Sequence, residues 1–305
     1  MSDRLVKTLV GALVLLILAW LAARFIVQRG AETRSGSFQL AAAADAIDSI
    51  VVTTSGDTVR LRAGEPWTVN GYEALPETGY SLQQALQEAQ VGQRVSRNPE
   101  NHPRMGVSDD EGRRFTVYSG DGARVTLIVG GRAGAFDEYY VRRAGDDDVY
   151  IVKGSLVNLA NRGADDWRDR EIFSAERTSV QRLEYAYPDE TFALVRDSAA
   201  WRLAPSGAEA EIGTVSTLLS QLTALRAIGF AADSASAALN WEEAAPRLRV
   251  VGPEGAELGQ LLFLENPDVG YFVRRAGSPV VYTLSSYTGD QIVVRPADLA
   301  AGSAE

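Results

Sequence analysis

The alternation of apolar and polar residues divides the chain into one long apolar run and two stretches that echo one another. The run extends from Leu5 to Val27, with Leu9 to Ala23 uninterrupted by charge. At a helical rise of about 1.5 Å per residue it is roughly 34 Å long, enough for a hydrocarbon core of about 30 Å. Lys7 and Arg24 stand near its ends, where long side chains reach the headgroups, and Trp20 suits the interface. The pattern predicts one transmembrane helix within residues 1–29. A cleaved signal peptide is the rival. Its apolar region is shorter, about 7–15 residues, and ends on small residues, whereas Ala22-Ala23-Arg24 is a poor cleavage site. Two basic residues precede the core and three follow it, so the positive-inside count leaves orientation open. The short basic start favours a signal anchor with the body outside. Residues 30–45 are small and polar without a clean period and read as a linker.

Beyond the linker, one pattern occurs twice. Residues 47–69 and 180–203 align with an offset of 133, matching Ile47 to Val180, Ile50 to Leu183, Val59 to Phe192 and Leu61 to Leu194; one inserted residue then brings Trp67 onto Trp201. Val59 with Leu61, and Phe192 with Leu194, keep the period of a strand, and Ser-Gly-Asp at 55–57 and Pro-Asp-Glu at 188–190 supply turns. Each copy therefore opens with a hairpin and a short strand bearing tryptophan. A helical stripe follows in each. It runs from Glu77 to Gln90 through Leu82, Ala85, Leu86 and Ala89, and from Glu211 to Ile228 through Val215, Leu218, Leu219, Leu222 and Leu225. Gly92 and Gly229 are expected to close these helices in a left-handed conformation. Residues 93–113 and 230–245 read as irregular. Each copy then gives four strands, RFTVYS, ARVTLIVG, EYYVRR and DVYIVK in the first and RLRVVG, ELGQLLFL, GYFVRR and VVYTLS in the second. YYVRRAG at 139–145 returns as YFVRRAG at 271–277, which fixes the alignment of the second half.

Tight turns between strands imply antiparallel pairing, so the fold class is α+β. The expected architecture is the transmembrane helix followed by two similar lobes. Each lobe is an antiparallel sheet, a hairpin plus a four-stranded meander, with one main covering helix. The expected limits are 46–163 and 180–298, with a junction at 164–179 and a tail at 299–305.

Composition narrows the chemistry. Net charge is −10. Residues 1–34 hold five basic and two acidic residues, so the remainder is more acidic still. That argues against nucleic acid, which needs a basic face, and against broad adhesion to anionic lipid. The absence of cysteine excludes disulfides, thiolate metal sites and thiol nucleophiles. His102 is the only histidine; it lies between Pro99 and Pro103 with no nucleophile or orienting acid marked in the sequence, and reads as a surface residue. The acidic clusters Asp109-Asp110-Glu111, Asp146-Asp147-Asp148 and Asp165-Asp166 lack the spacing of a calcium loop and read as solvated turns. GGRAG at 130–134 has no Walker lysine and reads as a loop between strands. No cofactor, metal or catalytic residue is expected. The duplicated arginines Arg142, Arg143, Arg274 and Arg275 are the main polar candidates. They read either as an anion-binding or partner-binding position or as strand ends paired to nearby aspartates. Trp167, Arg168, Asp169 and Arg170 read as a structural clamp between the lobes.

The NPE…MGV loop at 98–107, the YYVRR and VYIV strands, the WRDREIF junction and the amino-terminal helix together resemble the bacterial DUF4340 family. The resemblance implies a single-pass inner-membrane protein with a periplasmic body, often encoded beside gliding-motility-type ABC transporters, and it brings no catalytic residue with it. The expectation is a non-enzymatic, membrane-anchored binding or accessory module. Its partners would be the lipid bilayer, through Leu5–Val27, and a membrane protein such as an ABC-type permease. A carboxylate-dependent envelope hydrolase acting on glycan or lipid, and a structural spacer in a membrane complex, are the alternatives.

Overall fold

A computed structural model describes residues 47–300 other than 121 and 199, together with residues 17, 20, 38 and 40–44. The predicted transmembrane segment, Leu5 to Val27, lies outside the described residues but for two positions. No helix among the described residues is long and apolar enough to cross a membrane. The chain divides into two compact units, Met1–Asp169 and Arg170–Glu305.

In the first unit, β1 (Ser49–Thr53) and β2 (Thr58–Arg62) form the predicted hairpin and bury alternate residues, Ile50 and Val52 against Val59 and Leu61. Short strands β3 (Thr68–Val69) and β4 (Tyr72–Glu73) extend its outer edge. The meander follows as β6 (Arg113–Ser119), β7 (Gly122–Arg132), β8 (Glu138–Arg143) and β9 (Val149–Lys153). A strand that the sequence does not announce, β5 (Gln90–Ser96), completes a nine-stranded antiparallel sheet in the order β4-β3-β2-β1-β6-β7-β8-β9-β5. The helix Thr78–Glu88 buries Leu82, Ala85 and Leu86 in the core on one face. Each of these leucines stabilises the unit by roughly 2 kcal/mol.

In the second unit, β11 (Arg182–Ala186), β12 (Thr191–Asp197) and β13 (Ala200–Ala204) repeat the hairpin and tryptophan strand. β16 (Arg247–Val251), β17 (Glu257–Asn266), β18 (Gly270–Arg275) and β19 (Tyr282–Leu284) repeat the meander, and β15 (Gly229–Phe230) pairs with β19. The eight-stranded order is β13-β12-β11-β16-β17-β18-β19-β15. Apart from β4, it is the order of the first sheet. The registers coincide too: Ile50 faces Val117 as Leu183 faces Val250, and Ile128 faces Arg142 as Leu262 faces Arg274. The helix Ile212–Leu222 buries Val215, Leu218, Leu219 and Leu222.

Four expectations are corrected. The helices end at Glu88 and Leu222, and neither Gly92 nor Gly229 is left-handed; both lie in strands. Leu225, read as helical, belongs to β14 (Ala224–Arg226), which pairs with β10 (Glu171–Ser174). Part of the segment 93–113 is strand and helix rather than irregular chain. Phe38, Leu40, Ala43 and Ala44, placed in the linker, are buried in the first core. Apolar side chains flanking an alanine run gain more from that core than from solvent.

Candidate functional site

The family-like loop of the first unit crosses the sheet face opposite the covering helix. Asn98 starts it, its side chain accepting a hydrogen bond from the Glu100 amide at 3.1 Å. The single helical turn His102–Met105 ends on Gly106, whose φ of 69° is the left-handed conformation open to glycine. Met105 and Val107 then pack on Ile128 and Val149 as a small second core. Gly130 makes the approach feasible, since a Cβ there would lie 2.3 Å from the Met105 carbonyl oxygen. His102 is therefore not at the surface. It is 7% exposed, and its Nε2 donates to the Asp147 carbonyl at 3.1 Å. The loop folds back over the sheet and covers it.

Arg142 fixes that loop. It stands across from Ile128, on the face under the loop, and is 3% exposed. Its Nε donates to the Val107 carbonyl at 2.9 Å and its Nη1 to the Asp146 carbonyl at 3.0 Å. Its Nη2 lies 3.1 Å from Asp109 Oδ2, an ion pair without hydrogen-bond geometry. Arg114 Nη2 donates to the other Asp109 oxygen at 2.9 Å. Partial burial pulls the Asp109 carboxyl upward, but Arg142 and Arg114 together hold it below the usual carboxylate range. An external anion would have to displace these carbonyls to reach Arg142. Arg143 stands across from Leu127 and is exposed.

The second unit uses the same two positions differently. Arg274 faces Leu262, and its guanidinium carbon lies 4.4 Å from the centre of the Trp241 ring. Its Nε is buried without a hydrogen-bond partner among the described residues. Arg247 matches Arg114 in register and donates to the Glu242 carbonyl at 2.9 Å. Trp241, for which the sequence offers no role beyond packing, thus lies under a duplicated arginine. Arg275 is exposed, with Nη2 3.3 Å from the Tyr282 hydroxyl.

The four junction residues are dispersed. Trp167 is 1% exposed within the core of the first unit, with the Arg162 guanidinium 4.8 Å from its ring. Arg168 stacks 3.9 Å over Tyr72 and pairs with Asp165 at 3.1 Å. The Asp169 amide donates to the Glu73 carbonyl at 3.0 Å, and the Arg170 carbonyl accepts from Ala227 at 2.8 Å. Each therefore has ties inside its own unit.

The residues that sequence reasoning passed over lie on the outer face of the second sheet. Arg182 and Glu184 on β11, Arg247 and Arg249 on β16, and Gln260 on β17 border a groove of about 610 Å³, with Ala193, Ala204 and Pro205 also lining it. Glu184 faces Arg249 across the strands and sits between two guanidiniums, Arg182 at 2.7 Å and Arg249 at 3.0 Å. Hydrogen bonding from Arg182, then from Arg249, holds its carboxyl below the usual range despite some burial. Arg249 also meets Glu257 at 2.6 Å. At the same registers the first sheet carries Ser49 for Arg182, Val51 for Glu184, Thr116 for Arg249 and Thr126 for Gln260. The charged lattice is a property of the second copy. Its signal in the sequence was charge at Arg182, Glu184 and Arg249, whose twins Ser49, Val51 and Thr116 are neutral, while Arg247 keeps an arginine twin in Arg114.

Several ionisable groups elsewhere make contacts that serve the fold. Asp148 pairs with Arg94 at 2.9 Å, Asp166 accepts from the Gly163 amide at 3.0 Å, and Lys153 lies 3.6 Å from Asp137 beside a hollow of about 810 Å³ at the end of the first helix. Among the described residues, no group of three or more His, Asp or Glu side chains is placed to hold a metal ion.

No curated protein and no solved structure matches the chain. A family model described as a domain of unknown function, DUF4340, matches residues 67–244. This span runs from the tryptophan before β3 to the segment just before β16 and covers more than half of the 305 residues. With its crossing loop, its buried arginine and its junction all inside that span, the chain belongs to the DUF4340 family.

Proposed function

We propose that this chain is a membrane-anchored, extracytoplasmic accessory module, a duplicated α+β unit whose second copy docks an acidic segment of a membrane partner such as an ABC-type permease. One observation carries the reading. Two sheets of the same order, apart from β4, differ on their outer faces: the second has a groove lined by Arg182, Glu184, Arg247 and Arg249, where the first carries Ser49, Val51, Arg114 and Thr116. Glu184 already engages Arg182 and Arg249, so the arginines are pre-set at low conformational cost and keep donors for further acceptors. In a chain of net charge −10, a locally basic groove selects acidic partners by complementarity.

The hydrolase alternative has no comparable support. The carboxyl groups whose ionisation is displaced, Asp109, Glu184, Asp189 and Glu211, are all displaced downward. A general acid needs the opposite shift.

The test is a photo-crosslinker at Gln260 in the full chain in intact cells, with the same probe at Thr126 as the control. The expected outcome is a covalent adduct with a transporter permease from Gln260, lost when Arg182 and Arg249 are both changed to Glu. No adduct, or an adduct indifferent to the charge reversal, overturns the docking face.

A further inference from the structure

The second unit contains another hollow, of about 300 Å³, between the turn Arg177–Ser179, the end of β12, Trp201 and the helix Ile212–Leu222. We infer that it is a binding pocket for a small organic anion, an oxyanion head on an apolar body. This inference is independent of the docking groove on the sheet face, with which the hollow shares no lining residue.

Two arginines stand at the hollow without a carboxylate partner. Arg177 Nη2 donates to Ser216 Oγ at 2.8 Å and its Nη1 to Ser220 Oγ at 3.1 Å, so two hydroxyls of the helix hold its planar fork. Arg196 Nη1 donates to the Thr178 carbonyl at 3.1 Å. Among the described residues neither forms an ion pair. The acid next to Arg196, Asp197, is held by Arg202 at 3.2 Å. Both guanidiniums keep donors in reserve, the arrangement that receives a carboxylate or phosphate in two-point fashion. The remaining lining is apolar. Trp201, 9% exposed, stands with Val215 and Leu219, and Ile212 is 72% exposed. An exposed isoleucine beside two arginines fits a ligand charged at one end only.

Comparison with the first copy indicates that the pocket was added to the fold. Trp67, Leu82 and Leu86 match Trp201, Val215 and Leu219, so the apolar positions recur. The arginines do not. Ala44 lies five residues before β1 as Arg177 lies five before β11, and Ala63 follows β2 where Arg196 continues β12. Neither alanine can receive an anion. Arg196 would not be needed for the sheet, whose first copy closes without it.

The experiment is calorimetric titration of the full chain with phenyl phosphate, with inorganic phosphate as the head alone and benzyl alcohol as the body alone. Phenyl phosphate should bind with a dissociation constant on the order of 1 mM, and each fragment more weakly. Arg177→Gln and Arg196→Gln should each weaken it about tenfold or more, and added salt should weaken it further. If a variant fails to fold by circular dichroism, Ser216→Ala with Ser220→Ala, which releases Arg177 from the helix surface, should weaken binding in its place. Competing vesicles of phosphatidylglycerol identify the source. Displacement of phenyl phosphate assigns the head to a lipid, and retention assigns it to a soluble molecule. No binding of phenyl phosphate at 10-fold above that constant, equal affinity for inorganic phosphate, or folded variants that bind as the parent does would overturn the pocket.

Discussion

Arg142 and Arg143 are adjacent and identical in type, yet the fold uses them in opposite ways. Arg142 lies under the crossing loop with two carbonyl acceptors and Asp109, while Arg143 is exposed. Removing a buried charged donor leaves its acceptors unsatisfied, so Arg142→Ala should cost about 2–3 kcal/mol and Arg143→Ala about 0.5 kcal/mol or less in urea unfolding. Arg274→Ala should cost roughly 1 kcal/mol, since it loses mainly a stack on Trp241. Equal losses at 142 and 143 would show that the loop is not held in this way. Gly130→Ala should cost roughly 1–3 kcal/mol by forcing the loop off the sheet. The twin arginines were legible in the sequence as a repeat. Which arginine was enclosed was not, because that depends on a loop whose path no local pattern sets. Asp109 adds a dependence on pH. Its folded carboxyl titrates below the unfolded value, so its contribution is full above the ordinary aspartate range and is lost as pH falls through the depressed one. Asp109 is 61% exposed, so solvent screening keeps the effect small.

Strands with alternating burial were the most readable elements. The Val59-Leu61 and Phe192-Leu194 pairs reach their cores as expected. Strands β5 and β15 were not readable: β5 carries two register shifts, which break its alternation, and β15 has two residues. Leu225 satisfied the helical stripe, but the helix is capped at Thr223 and Leu225 instead pairs with Phe173 in a strand. A second set of elements carries a prediction about alkali. Tyr185 and Tyr187 donate to the Ile292 and Val294 carbonyls at 3.0 and 2.7 Å, and Tyr271 donates to Asp290 at 2.6 Å. Burial raises all three hydroxyls, joined at Tyr271 by the Asp290 carboxylate. Unfolded tyrosines ionise near pH 10 while these keep their protons, so the unfolded state binds fewer protons there and stability falls as pH rises. The second unit should therefore lose stability above about pH 10, as followed by tyrosinate absorbance and near-ultraviolet dichroism. Retained structure with complete tyrosine ionisation at that pH would contradict it.

For the molecule as a whole, the main cores of the two units have no residue in common, and the chain divides between Asp169 and Arg170. Trp167 belongs to the first core, and Ile172 and Phe173 to the second. Residues 38–169 and 170–300, produced separately, should each give a sheet-rich spectrum and a single cooperative unfolding transition. A fragment that stays unfolded would mean its core is incomplete.

Two sheets of one strand order on one chain also raise a question of sorting during synthesis, because a strand of one copy meets two acceptors of suitable shape. In the native pairing Glu184 meets Arg249 and Val51 meets Thr116. An exchange would set Glu184 beside Thr116 and Val51 beside Arg249, so that Glu184 keeps only Arg182 and Arg249 only Glu257. The Glu184–Arg249 pair thus weighs the native neighbour above its look-alike from the other copy.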